Sequence, residues 1–168
     1  TMDIKMEPEL ISEIIDEALS HINRKREEHH ITGELRDDML MAKMDSRLIV
    51  QVIINIVDNA IKYTPEGSDI SISAFPKGKM IQVEVADNGE GIADEAKSRL
   101  FDMFYTADNS RGDGRRGLGL GLSLCKSIIL AHGGRIGVRD NRPHGTIIYF
   151  TLQAEEVDYH EQTQNFSG

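Results

Sequence analysis

One cysteine in 168 residues, Cys125, leaves nothing for an internal disulfide framework and too little for a cysteine-built zinc site. Basic side chains are scarce beside acidic ones, 19 Lys and Arg against 28 Asp and Glu. The resulting formal charge of -9 argues against a general binder of nucleic acid or of anionic membrane. No apolar run approaches the ~20 residues of a membrane span, and no secretory pattern opens the chain. A soluble, cytoplasmic setting without direct membrane contact is expected, including that of one domain in a larger membrane-anchored protein. Internal repeats are absent. The length suits one domain with a core large enough to fold alone.

What is present is periodicity. Met2 to Met6 alternates weakly and predicts a short strand. From Glu7, the apolar residues Leu10, Ile11, Ile14, Ile15, Ala18 and Leu19 recur at helical spacing, with Pro8 tolerated in the first turn. Arg24 to His30 reads as the solvated end of that helix. Adjacent His29 and His30 would point apart with no third ligand nearby, so surface side chains are expected instead of a metal site. Strands at Ile31–Leu35 and Met39–Met44 follow.

The stretch Gln51–Tyr63 organises the rest. A helix starting after Asp45, a good N-cap residue, stacks Leu48, Val52, Ile56 and Ala60 beside Ile49, Ile53 and Val57 as a broad apolar face. Asn55, Asn59 and Lys62 share one stripe, and Asn59 falls on the edge of the apolar face. A buried amide left unpaired costs about 1–3 kcal/mol, so something polar should meet it. Core main chain and a ligand both remain open. The helix ends at Tyr63-Thr-Pro-Glu-Gly67.

Strands Asp69–Phe75 and Lys79–Asp87 come next, joined by Pro76-Lys-Gly78. In the second, Ile81, Val83 and Val85 occupy one face and Gln82 and Glu84 the other. Asp87 continues the apolar face, where a carboxylate is expensive without donors. Asp87-Asn-Gly-Glu-Gly91 fits either an Asp-led turn or a place where backbone passes close to a ligand. A short helix is expected over Glu95–Phe104. Thr106–Gly117 has three glycines and no large apolar side chain, which predicts a mobile surface loop. Gly117-Leu-Gly-Leu-Gly121 then opens a helical pattern of Leu120, Leu124, Ile128 and Ala131. Free backbone N–H groups and the dipole there favour phosphate, with Arg111, Arg115 and Arg116 close in sequence. A dinucleotide-binding reading of these glycines is poor, because a polar loop precedes them and no βαβ unit surrounds them. Cys125, among Leu122, Leu124, Ile128 and Ile129, reads as a reduced core thiol. His132-Gly-Gly134 ends the helix, and strands Arg135–Asp140 and Gly145–Gln153 close the domain at 1–154. Thr146 is in phase with Ile148, Phe150 and Leu152, so its hydroxyl faces inward. Residues 155–168 form a polar tail expected to be disordered.

Three elements far apart in sequence thus aim polar groups at one apolar interior: Asn55 with Asn59, Asp87, and Thr146. In order and spacing they resemble the catalytic, ATP-binding domain of bacterial sensor histidine kinases, within the wider GHKL group of Hsp90, gyrase B and MutL. The N box is similar to Asn55-x-x-x-Asn59-Ala-x-Lys62-Tyr63 and the G1 box to Asp87-x-Gly89-x-Gly91. The F box is similar to Phe101-x-x-Phe104 and the G2 box to Gly117-Leu-Gly-Leu-Gly-Leu122. Gln51–Tyr63 and Asn141-Arg-Pro143 look similar to the potassium-responsive KdpD kinases.

The resemblance implies a two-layer α/β sandwich of the Bergerat ATP-binding type, a mixed, mostly antiparallel sheet with helices on one face. It implies ATP and Mg²⁺ as ligands, a lid over Tyr105–Leu118, and these roles. Asp87 accepts from the adenine amino group, with Thr146 helping through a water. Gly89 and Gly91 let backbone approach base and ribose beside Tyr63 and Ile92. Asn59 ligates Mg²⁺ with Asn55 beside it, and Lys62 meets a phosphate. Gly117, Gly119 and Gly121 bring donors to the phosphates, with Phe104, Arg116, Leu118, Leu120 and Leu122 around them. Asn55 stands where Hsp90 and gyrase B carry a glutamate base. An amide has no useful basicity, so transfer to a histidine is implied instead of hydrolysis. That histidine, in a His-Glu-x-x-x-Pro context on a dimerising helical hairpin, matches none of His21, His29, His30, His132, His144 or His160. The expected partners are therefore a separate dimerisation and phosphoacceptor domain and, through it, a response regulator. A GHKL-type ATPase and a non-catalytic nucleotide sensor are the alternatives.

Overall fold

The computed structural model describes residues 3–22, 28–35, 39–102 and 120–155. The elements run β1 (Glu7–Leu10), α1 (Ile11–Ser20), β2 (His30–Leu35), β3 (Met41–Met44), α2 (Ser46–Lys62), β4 (Asp69–Lys77), β5 (Met80–Asp87), α3 (Asp94–Lys97), α4 (Leu120–Ala131), β6 (Ile136–Asp140) and β7 (Thr146–Gln153). Five strands form one sheet in the order β2-β4-β5-β7-β6, and β1 with β3 forms a two-stranded sheet. Only the β2–β4 pairing in the large sheet is parallel. The mixed, mostly antiparallel sheet with its helical layer is the expected architecture.

Alternation makes the inner face. Ile70, Ile72 and Ala74 of β4, Ile81, Val83 and Val85 of β5, and Ile148, Phe150 and Leu152 of β7 are all buried. Against them lie Ile11, Ile14, Ile15, Ala18 and Leu19 of α1 and Ile49, Val52, Ile53, Ile56, Val57 and Ala60 of α2. Burying so many Ile and Val side chains, each worth about 1.5–3 kcal/mol, makes this layer the source of the fold's stability. α2 is the central helix, buried along the predicted stripe.

Several boundaries differ from the sequence reading. The predicted strand at Met2–Met6 is displaced: residues 3–6 are irregular, and Glu7–Leu10 pairs with β3 instead, Glu7 opposite Met44. The helix therefore starts at Ile11, whose N–H donates to Leu40 O at 2.9 Å. Asp45 does sit at the N-cap of α2, yet its side chain makes no cap bond; Oδ2 accepts from Lys5 N–H at 3.1 Å. Lys5 N–H competes with the helix for the same carboxylate. Strand β4 runs through Pro76, beyond the last residue paired with β2 and so away from a ladder that needs its N–H, and the hairpin turn is Gly78-Lys79 with Gly78 at φ +62. The helix expected at Glu95–Phe104 shortens to Asp94–Lys97, held by Lys97 Nζ between Asp94 and Asp140, 2.7 Å from each.

α4 buries Leu122, Cys125, Ile128 and Ile129, with His132 buried just past its end, while Leu124 and Ala131 are exposed. The stripe thus lies about one residue round from the predicted one. Cys125 is a core thiol as expected, its Sγ 3.7 Å from Val52 O, and burial pushes it up to about 12. His132 fastens α4 to α2: Nδ1–H donates to Ile128 O at 2.7 Å and Nε2 accepts from Asp45 N–H at 3.0 Å. His30 is exposed, but His29 is buried, which corrects its placement on the surface. Among the described residues no group of three His, Cys, Asp or Glu could hold a metal ion, and no helix is long and apolar enough to cross a membrane. The tail beyond Glu155 lies outside the described residues.

Candidate nucleotide site at the strand ends

The last residue of β5 and the first of β7 meet where their ladder stops, after Ala86 opposite Ile147. Asp87 fills that gap with its side chain. Its Oδ1 accepts from Gly89 N–H at 2.9 Å and from Thr146 N–H at 3.2 Å. Among the described residues Oδ2 accepts nothing. Burial raises the Asp87 pKa above its usual value, and the two backbone N–H groups oppose the rise without cancelling it. The result is a half-buried carboxylate with one oxygen anchored and one available. Thr146 is buried in line with Ile148, Phe150 and Leu152, as its phase predicted.

The glycines around Asp87 are sterically required. A Cβ on Gly145, at φ +116, would overlap Asp87 O, and one on Gly89 would lie 2.8 Å from the Thr64 methyl. Gly91 sits at φ +87 with Gly145 O beside it, and Ile92 follows half-buried against the core. Thr64 is itself held: its hydroxyl donates to Ala60 O at 2.7 Å and therefore accepts from His29 Nε2–H at 2.9 Å. That fixes the tautomer and leaves buried Nδ1 of His29 without a partner among the described residues.

The amides of α2 differ from each other. Asn55 Oδ1 accepts from Gln51 Nε2–H at 2.8 Å, and its Nδ2 stands 3.5 Å from Gly121 O. Asn59, half-buried one turn on, makes no side-chain hydrogen bond among the described residues, so the polar partner expected for it is not core main chain there. Lys62 and Tyr63 end the helix exposed. Gly121 opens α4 with nothing within 4 Å of where a Cβ would stand, and Leu122 is buried behind it. Phe104, Arg111, Arg115, Arg116, Gly117, Leu118 and Gly119, and with them the expected lid, lie outside the described residues, as does the Leu120 side chain. Phe101 packs half-buried against the core.

Sequence reasoning missed the β6–β7 turn. Asn141 Nδ2–H donates to Asp87 O at 2.8 Å and His144 Nδ1–H to Gly89 O at 3.0 Å. Gly145 immediately before an inward Thr146 was the available signal, since glycine at a strand start marks close backbone approach. A separate open cleft of about 470 Å³ borders Gly89, lined by Pro65–Ser68, Asn88–Glu90 and His144. Of the predicted site residues only Gly89 touches it, so the cleft is not where the polar groups converge.

Comparison with known proteins fits this geometry. Residues 44–156 match the family described as histidine kinase-, DNA gyrase B- and HSP90-like ATPase. The sensor protein KdpD of Clostridium acetobutylicum is 40% identical over 152 residues, covering 90% of this chain and 17% of that protein. The chain thus spans about a sixth of that relative's length. The catalytic domain of histidine kinase ThkA superposes with a TM-score of 0.78 at 30% identity, covering 89% of this chain and 96% of the other. A second ThkA structure, at TM-score 0.75 and 29% identity over 89% of this chain and 42% of that one, is of the kinase in complex with the response regulator protein TrrA. A sequence match across more than half of the chain and a shared fold across nearly all of it agree on where it belongs: it is a member of the histidine kinase-, DNA gyrase B- and HSP90-like ATPase family, with sensor histidine kinases as its relatives.

Proposed function

We propose that residues 1–154 are the catalytic domain of a membrane-anchored, KdpD-like sensor histidine kinase with a cytoplasmic catalytic region, and that 155–168 are a C-terminal tail. The domain binds Mg·ATP and donates the γ-phosphoryl to a histidine on a dimerisation and phosphoacceptor domain outside this chain. From there the group passes to a response regulator, and a potassium or osmotic stimulus suits the KdpD likeness. The observation that carries the reading is Asp87, whose Oδ1 is committed to two backbone donors while Oδ2 remains for the adenine amino group.

The other residues take the roles that the family resemblance implies. Tyr63 stacks beside the base, Gly89, Gly91 and Ile92 line base and ribose, and Thr146 supports Asp87 through a water. Lys62 meets a phosphate. The same resemblance gives the phosphate side to Gly117, Gly119 and Gly121, with Phe104, Arg116, Leu118, Leu120 and Leu122. Amide oxygens are hard donors suited to Mg²⁺, and Asn59, lacking a side-chain partner among the described residues, fits that task better than Asn55, whose oxygen is taken by Gln51. Bound there, the ion would neutralise phosphate charge. Asn55 cannot deprotonate water, which favours phosphoryl transfer to an imidazole nitrogen, with ADP as the leaving group.

Two measurements test the reading. Calorimetric titration of the chain with a non-hydrolysable ATP analogue should show saturable binding strengthened by Mg²⁺. Mixing with a matching phosphoacceptor hairpin and labelled ATP should then label the histidine. Binding without any label would sink the kinase reading, and steady phosphate release by the chain alone would favour an ATPase.

A further inference from the structure

The main chain between β5 and β7 leaves a carbonyl to be explained. Their ladder ends at Ala86 opposite Ile147, and Thr146 N–H, next in line, is taken by the Asp87 side chain at 3.2 Å. Asp87 O faces β7 closely enough that a Cβ on Gly145 would overlap it. A strand-end carbonyl beside a β-branched core needs a donor, and the Thr146 N–H that would continue the ladder is taken by the side chain. The donor is Asn141 Nδ2–H at 2.8 Å.

Both side-chain polar atoms of Asn141 and its backbone N–H are used. Its Oδ1 accepts from Arg142 N–H at 2.9 Å, and its own N–H donates to Gly145 O at 3.0 Å. The side chain is therefore fixed in the turn before it reaches Asp87, and it is half-buried. From the same turn, His144 holds Gly89 O. Both ends of the Asp87–Gly89 turn are thus tied to the β6–β7 connection by side chains.

We propose that Asn141 is a positioning residue for nucleotide-base selection. By replacing the missing ladder donor at Asp87 O it fixes the main chain of Asp87, so the carboxylate can spend Oδ1 on Gly89 and Thr146 and keep Oδ2 directed at the base. Asn141 touches no substrate; it acts only through Asp87. The inference rests on the assignment of Asp87 as the adenine acceptor.

The test uses the chain with two nucleotides differing at the base edge. ATP presents a 6-amino donor and inosine triphosphate a 6-oxo acceptor, with the same ribose and phosphates. A merely structural residue would weaken both alike, whereas a base-positioning residue changes their ratio. Asn141→Asp keeps the shape and the Arg142 contact but loses the donor; Asn141→Ala loses the donor without adding charge. Each should bind ATP about three- to tenfold more weakly, the weight of one net hydrogen bond. Inosine triphosphate should change little, so selectivity falls by the same factor. Both affinities are read by displacement of a trinitrophenyl nucleotide, beside a thermal melt. Unchanged selectivity in both folded variants would overturn the proposal while leaving the ATP site intact. Loss of the melting transition in both would make Asn141 purely structural and overturn it too. Failure of the unaltered chain to bind ATP would instead remove the reading beneath it.

Discussion

Asp87→Asn separates recognition from folding. The amide oxygen can still accept from Gly89 N–H and Thr146 N–H, the two bonds that close the turn. The NH2 group would replace Oδ2 and meet the adenine amino group donor to donor. Losing a charge-assisted hydrogen bond removes about 1.5–3 kcal/mol, and the two unpaired donors add about 1–3 kcal/mol. Together that is about 2.5–6 kcal/mol, or roughly two to four powers of ten in Kd. Stability should move the other way. Burial raises the pKa of Asp87 in the folded state above its usual 3.8. The stability linked to its protonation is therefore fully present below that value and is lost as pH rises through the folded pKa. At pH 7 the ionised carboxylate costs the fold something that a neutral amide does not. Calorimetry should thus find ATP binding abolished or nearly so, while the Tm stays level or rises. Inosine triphosphate, whose 6-oxo group accepts from the new amide, should lose less affinity than ATP. Unchanged ATP affinity in a folded variant would refute the adenine contact.

Three further outcomes follow from contacts in the core. Gly145→Ala places a Cβ on Asp87 O at a φ of +116, so urea unfolding should show a loss of about 2–4 kcal/mol; an unchanged midpoint would mean the turn yields freely. His132→Leu leaves the buried Asp45 N–H without its 3.0 Å acceptor, and the same assay should show about 1–3 kcal/mol lost, with an unaltered curve ruling out the bridge between α4 and α2. Burial works to raise the Glu84 pKa, but hydrogen bonds from Arg139 and Gln82 outweigh it and hold the carboxyl below its usual 4.5. That stability is present above 4.5 and lost as pH falls through the depressed folded value. The Tm of Glu84→Gln should therefore drop less than that of the unaltered chain across the acid limb, and parallel limbs would count against the linkage.

What was legible in the sequence was periodic or local. α2 repeats its apolar spacing over 17 residues, long enough that no other structure fits the pattern, and Asn55 and Asn59 come with it. The phase of β5 and β7 placed Asp87 and Thr146 correctly, because alternation carries through to a strand's last residue. The errors came where a partner distant in sequence decides. Glu7–Leu10 continues a helical pattern but is captured by β3. The Asp45 carboxylate turns from its own helix to Lys5, 40 residues away. Gln82 and Glu84 were placed opposite the apolar face, yet both are buried. Phe75 and Tyr149 stand beside them across the strands, and Arg139 closes over Glu84 and the Tyr149 ring. His29 was misplaced because its partner, Thr64, lies 35 residues on. Asn141 was noted only within the KdpD-like Asn141-Arg-Pro143, and its contact escaped notice for the same reason: the acceptor is a main-chain carbonyl 54 residues earlier, and no spacing rule points at a carbonyl.

The pairing of β5 with β7 also limits how this chain can change length. Because side chains alternate, inserting a single residue into β5 between Met80 and Asp87 would carry the carboxylate to the outer face of the sheet and put a neighbour in its place. The same holds for Thr146 within β7. Variation of one residue can enter at the Gly78-Lys79 hairpin, where it costs no phase, but between that hairpin and Asp87 it must come in pairs or be absorbed by a bulge. The inner strands are a fixed ruler laid from the hairpin to the pocket, and their length in residues is as much a condition of binding as the aspartate at their end.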